Sequence, residues 1–153
     1  LLKIMAYKEN NQDTLLPYKW EIEHIFPQKW HNNYFQNNDK NDEEIKREIE
    51  HLGNKIPFEK KLNIEAGNGY FRKKKAYYSA SNIEVAKNLS KLQQEDWDLN
   101  DIADRDTEVS ILIQSILSRW ISDYDHNDNH NLKEEPSEDD LKKIEEYRSK
   151  GWL

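Results

Sequence analysis

Tyr18-Lys19-Trp20-Glu21-Ile22-Glu23-His24-Ile25-Phe26-Pro27 is the stretch on which the fold turns. Aromatic and branched residues alternate there with Lys and Glu. This is the period of two of a half-buried strand, and proline, with no N–H to give a ladder, stops it. Downstream, Asn54 to Phe58 reads as a second short strand, and Glu59 to Ala66 as one or two helical turns ending at Gly67-Asn68-Gly69. Two strands and a short helix make a hairpin-plus-helix unit. The rest reads as helices: Leu1 to Lys8, Glu43 to Leu52 with Gly53 at the C′ position, Tyr70 to Tyr78, Asn82 to Leu92, and Leu99 to Tyr124. In the last of these Ile102, Val109, Ile113, Ile116, Leu117 and Trp120 recur at three- and four-residue steps and are expected to supply much of the core. His31 to Asp42 reads as a polar loop, Asp123 to Glu135 as a polar linker, and Ser137 to Lys150 as a charged helix with an acidic first turn. The expected class is α+β, a small hairpin embedded in helices. The expected organisation is the end of a preceding helix and linker over 1–17, the domain proper over 18–124, and a linker with a charged helix over 125–153.

A chain of 153 residues has room for one real core. Charged residues make up 35% and the mean hydropathy is −1.14, yet five Trp, eight Tyr and four Phe argue for packing. The absence of cysteine excludes disulfides and thiolate zinc sites and suits a cytoplasmic protein. No apolar run approaches the roughly 18 residues of a membrane span. Opening at Leu1 with no basic-then-apolar leader, the chain reads as a piece of a longer protein whose partner domain is missing. A net charge of −7 is the wrong sign for gripping nucleic acid over a whole surface, but charge is unevenly placed. Residues 55–75 hold seven cationic side chains against two anionic ones. Within that stretch Arg72, Lys73, Lys74 and Lys75 form either a phosphate-binding face or a solvated helix surface.

Three features carry chemistry: Glu23-His24 at a strand end, Asn54 at the start of the next strand, and Asn63, nine residues on, near a helix. Hydrolysis of a phosphodiester needs a base near neutral pKa to take a proton from water, which suits His, and a divalent cation against the charge on the phosphate. A carboxylate and an amide carbonyl are hard oxygen donors of the kind that hold Mg²⁺ or Mn²⁺. Bland readings stand beside these. Asn54 after a glycine can be a turn residue, Asn63 a helix cap, and Asn68 either a support for the site or the end of a helix. Tyr77, Arg105 and Trp120 read as packing and support. Asp125-His126-Asn127-Asp128-Asn129-His130 has metal-capable side chains but reads as a hydrophilic stretch of linker.

Glu23-His24-Ile25-Phe26-Pro27-Gln28, then Leu52-Gly53-Asn54-Lys55-Ile56, then Leu62-Asn63 and Asn68-x-x-Phe71-x-Lys73-Lys74-x-x-Tyr77, with Arg105 and Trp120 beyond, together resemble a known family. It is the HNH nuclease domain at the C-terminus of GmrSD-type, modification-dependent restriction enzymes, within the ββα-metal or His-Me finger superfamily. The resemblance covers roughly residues 18–122. It implies a DNA endonuclease in restriction or phage defence, using Mg²⁺ or Mn²⁺, with a separate N-terminal nucleoside-triphosphatase domain choosing the target. By position it implies that His24 is the general base, Glu23 and Asn63 are metal ligands, and Asn54 orients the His-bearing strand. Asn68, Tyr77 and Arg105 are the expected supports, and Arg72, Lys73, Lys74 and Lys75 the expected contacts to DNA. Glu23 stands where the wider superfamily more often has Asp. The alternative is a scaffold derived from a nuclease that binds nucleic acid or a partner protein without cutting. The retained His24 speaks against it and the acidic balance for it.

Overall fold

The computed structural model describes residues 1–31, 40–131 and 142; the charged helix expected over 137–150 lies outside these residues, save Lys142. Within them the fold is α+β and mainly helical, as expected. Chain order is α1 (Leu2–Lys8), β1 (Trp20–His24), α2 (Asp42–Ile49), a 3₁₀ turn (Leu52–Asn54), β2 (Lys55–Glu59), α3 (Lys60–Ala66), α4 (Phe71–Ser79), α5 (Glu84–Ser90) and α6 (Leu99–Asn131). The chain divides into two compact units, Leu1–Gln114 and one that begins at Ser115. The first contains every element through α5 and the start of α6.

β1 and β2 pair antiparallel, with Trp20 opposite Glu59, Ile22 opposite Pro57 and His24 opposite Lys55. In a sheet of two strands each has an open edge, so Pro57 costs no ladder bond that a third strand would need. The strand alternates as expected, but its phase is reversed. Ile22 is half exposed, whereas Glu23 is 4% exposed and faces inward with Ile56 and Phe58. α2 starts at a full capping box: Asn41 accepts from the backbone of Glu43 and Glu44, and the Glu44 carboxylate accepts from Asn41 N–H.

Gly53 does not end α2 at C′ as expected. α2 stops at Ile49, and Gly53 is buried in the 3₁₀ turn. A Cβ there would lie 2.2 Å from the carbonyl oxygen of Ile102 and 2.6 Å from the backbone nitrogen of Asp106, so α6 can approach only a residue without a side chain. Gly67, with φ +54°, closes α3 by donating to Asn63 O.

The core gathers Ile25 and Phe26 after β1, Ile45 and Ile49 of α2, Ile56 and Phe58 of β2, Phe71 and Tyr78 of α4, Trp97 just before α6, and Leu99 and Ile102 in its first turns. Tyr78 meets Phe58 edge-on, and Phe71 packs against Trp97 in a tilted arrangement with ring centroids 5.4 Å apart. α1 belongs to this core through Ala6 and packs on β2, so the opening segment is built into the unit rather than lying outside it. In α6, Ile102, Val109 and Ile116 are buried, but Leu117 and Trp120 are 45% and 50% exposed, against the expectation that both pack. α6 also runs through the linker expected from Asp123, to Asn131. No Gly or Pro interrupts Leu99–Asn131. The weak helix propensity of Asn and Asp, about 0.5 kcal/mol each, does not break a helix already nucleated.

Candidate active site

Glu23 and His24 are the last two residues of β1, so the pleat sends their side chains to opposite faces. The His24 imidazole, 15% exposed, looks outward. Its Nε2 lies 3.3 Å from both carboxylate oxygens of Glu50, and 3.4 Å from Nε2 of Gln28. Glu50 also accepts from Lys55 Nζ at 2.6 Å and from Gln28 Nε2 at 2.9 Å. Lys55, then Gln28, then His24 hold its carboxyl at a pKa of about 2, below the ordinary 4.5, so it is ionised at any neutral pH. Glu50 sits at the C-cap of α2, 26 residues from His24, so no local spacing in the sequence links the two.

Glu23 turns inward to Lys74 of α4, 1% exposed, whose Nζ is 2.8 Å from Glu23 Oε1. Tyr78 donates its hydroxyl to the same oxygen at 2.8 Å. Burial, and then the Glu23 charge, push the Tyr78 phenol well above its ordinary pKa, so it stays a donor. Lys74 Nζ also donates to the carbonyls of His24 and Ile25. Burial lowers its pKa, and the charge of Glu23 opposes that shift. Lys74 is therefore an internal brace and not the contact to DNA expected of it, because its buried ammonium is taken up by Glu23 and two backbone carbonyls. Lys75 donates to the carbonyls of Leu92 and Gln94, which likewise ties its ammonium to the protein. Of the basic run, Arg72 and Lys73 remain exposed; Arg72 lies 3.0 Å from Glu95.

The three asparagines occupy distinct positions. Asn54, fully buried, accepts from Phe26 N–H at 2.7 Å and donates to Phe26 O at 3.0 Å and Ile49 O at 2.9 Å. Asn68 accepts from Lys29 N–H at 3.0 Å and donates to Lys29 O. Between them they clip both ends of the loop that follows His24. Asn63 lies inside α3, whose N-cap is Glu59, so the helix-cap reading does not hold. Its Nδ2 donates to Glu21 Oε2 at 3.3 Å. Lys60 and Asn63 hold the Glu21 carboxyl below its ordinary pKa. Arg105 of α6 donates to Gly53 O at 2.7 Å and Lys55 O at 3.2 Å, bracing the turn that carries Asn54. Tyr77 is partly buried against the core, whereas its neighbour Tyr78, on the buried face of α4, is the tyrosine that reaches Glu23.

Glu23, His24, Gln28, Asn63, Asn68 and Lys74 are among the residues that line one open cleft of about 240 Å³. Among the described residues no group of three or more His, Asp or Glu gathers as a metal cluster. Lys74 and Tyr78 both use Oε1 of Glu23, leaving Oε2 outside those contacts, and Asn63 uses its Nδ2, leaving the carbonyl oxygen. One carboxylate and one amide in a cleft open to water fit Mg²⁺ or Mn²⁺, which keep several waters and take few protein oxygens. They do not fit a closed zinc site, which needs nitrogen or sulfur donors.

No curated protein and no solved structure matches the chain. The model of one protein family does, over residues 1–112, which takes in β1, β2, α3, the cleft and Arg105. The chain thus belongs to the family of GmrSD restriction endonucleases, C-terminal domain.

Proposed function

We propose that this domain is a metal-dependent HNH endonuclease that hydrolyses DNA phosphodiester bonds, serving restriction or phage defence in the cytoplasm. The observation that carries this is the open cleft, whose lining includes His24, Glu23 and Asn63, in a chain of a restriction endonuclease family. His24 accepts the proton of the attacking water. Asn54 and Asn68 fix the loop after His24 through Phe26 and Lys29, so that the imidazole is not free to swing. Glu23 and Asn63 would hold Mg²⁺ or Mn²⁺, which supplies positive charge against the scissile phosphate and the leaving oxygen. Arg72 and Lys73, exposed on α4, contact flanking phosphates, and a nucleoside-triphosphatase domain of the full protein chooses the target.

Nicking of supercoiled plasmid with Mg²⁺, Mn²⁺ or EDTA tests the reading. Cleavage is expected with either metal and none with EDTA. His24→Ala should lower the rate about 10²- to 10⁴-fold without moving the thermal melt or the Mn²⁺ dependence, since the imidazole is a base and not a ligand. A wild-type chain that binds DNA yet never nicks it would leave the non-cleaving scaffold as the better account.

A further inference from the structure

We infer that Glu50 is the positioning residue of His24: its carboxylate accepts the Nε2–H of the imidazole and leaves the Nδ1 lone pair as the basic atom. The inference rests on the reading of His24 as the base, and names the atom and the group that aims it. Both oxygens of Glu50 lie 3.3 Å from His24 Nε2. A bare lone pair on Nε2 would face a carboxylate that is charged, and a proton there turns the repulsion into a charge-assisted hydrogen bond. The competing partner is the Gln28 amide nitrogen at 3.4 Å; one of its two N–H groups goes to Glu50 Oε1 at 2.9 Å, and a neutral amide donor attracts the lone pair less than the Glu50 carboxylate attracts a proton on Nε2.

Glu50 is itself held. Lys55 donates to its Oε2 at 2.6 Å and to its backbone carbonyl at 2.7 Å. Lys55 is in reach because the sheet register sets it directly opposite His24. The end of α2, the loop after β1 and the start of β2 therefore converge on one carboxylate. Glu50 reaches the cleft through His24 and Gln28, the two side chains it bonds there, so its charge acts directly on the imidazole.

Two measurements on the whole chain test this. Long-range ¹H–¹⁵N correlation of ¹⁵N-histidine protein, at a pH where the ring is neutral and with His24→Ala to assign the signal, should show Nε2–H with an unprotonated Nδ1. The opposite tautomer overturns the inference. Glu50→Gln keeps shape but removes the charge that selects the tautomer. Its kcat for nicking should fall roughly 10- to 100-fold, with KM for DNA and the Mn²⁺ midpoint within about threefold of wild type, and the NMR signal should move toward a tautomer mixture. An unchanged or faster kcat would show that the carboxylate merely screens the site. Absence of nicking by the wild type sinks the nuclease reading alone, since the tautomer in wild-type protein decides the pairing in either event.

Discussion

A carboxylate on the inward face of a strand is costly unless paired, and Glu23 is paired twice through one oxygen, by Lys74 and Tyr78. Phe71, Lys74 and Tyr78 stand at i, i+3 and i+7 of α4, so the helical repeat alone puts Lys74 on the buried stripe. The signal was in the sequence, but the run Arg72-Lys73-Lys74-Lys75 reads first as one cationic surface. What was not legible is the partner, because Glu23 and Lys74 are joined only by tertiary packing. Lys74→Met should destabilise the domain by about 3 to 5 kcal/mol in urea denaturation, since it leaves Glu23 buried with only a neutral donor. A loss under 1 kcal/mol would mean that the pair is worth little more than a surface bridge. Glu50 gives a second test at this scale. Its pKa is depressed to about 2, so its contribution to stability is complete above pH 4.5 and disappears as pH falls toward 2. Wild type should therefore lose stability relative to Glu50→Gln across that window, and parallel melting curves for the two from pH 5 to 2 would contradict the clamp.

Between elements, the turn from Leu52 to Lys55 does most of the positioning. Its Gly53 lies against the α6 backbone, its carbonyls are gathered by Arg105, and its Asn54 reaches across to the loop after β1. The order of strand, strand and helix was legible from periodicity and from glycine and proline. The role of Gly53 was not, because a glycine following a helical pattern reads as a C-terminal stop, and only the close approach of α6 shows otherwise. Gly53→Ala should cost at least about 2 kcal/mol, as a methyl cannot share space with the Ile102 carbonyl. Asn54→Ala strands the Phe26 N–H and removes the partner of two carbonyls. It should lower stability by about 2 to 4 kcal/mol and slow nicking as the loop loosens. Full activity in a folded Asn54→Ala protein would assign the loop's order to Asn68 instead.

At the scale of the molecule the question is how a chain of net charge −7 engages a polyanion. Of the four basic residues from Arg72 to Lys75, two are occupied by the protein itself: Lys74 by Glu23 and Lys75 by backbone carbonyls. That leaves Arg72 and Lys73 on the exposed face of α4, with Glu95 beside Arg72. Two solvated cations on α4 predict a small phosphate-binding contribution from that helix. Each phosphate contact releases condensed counterions and adds about 0.9 to the slope of log K against log salt on duplex DNA. The double variant Arg72→Gln/Lys73→Gln should flatten that slope by about two units, while a circular dichroism melt stays near wild type because both side chains are solvated. Lys75→Gln should leave the slope unchanged and lower the melt slightly, since its ammonium holds the chain after α5 and not a phosphate. The measurement is fluorescence anisotropy of a labelled duplex from 25 to 200 mM salt, with Ca²⁺ replacing Mg²⁺ to prevent cutting. A slope that survives the double variant intact would place the DNA on another face, with α4 serving only to hold Lys74 against Glu23.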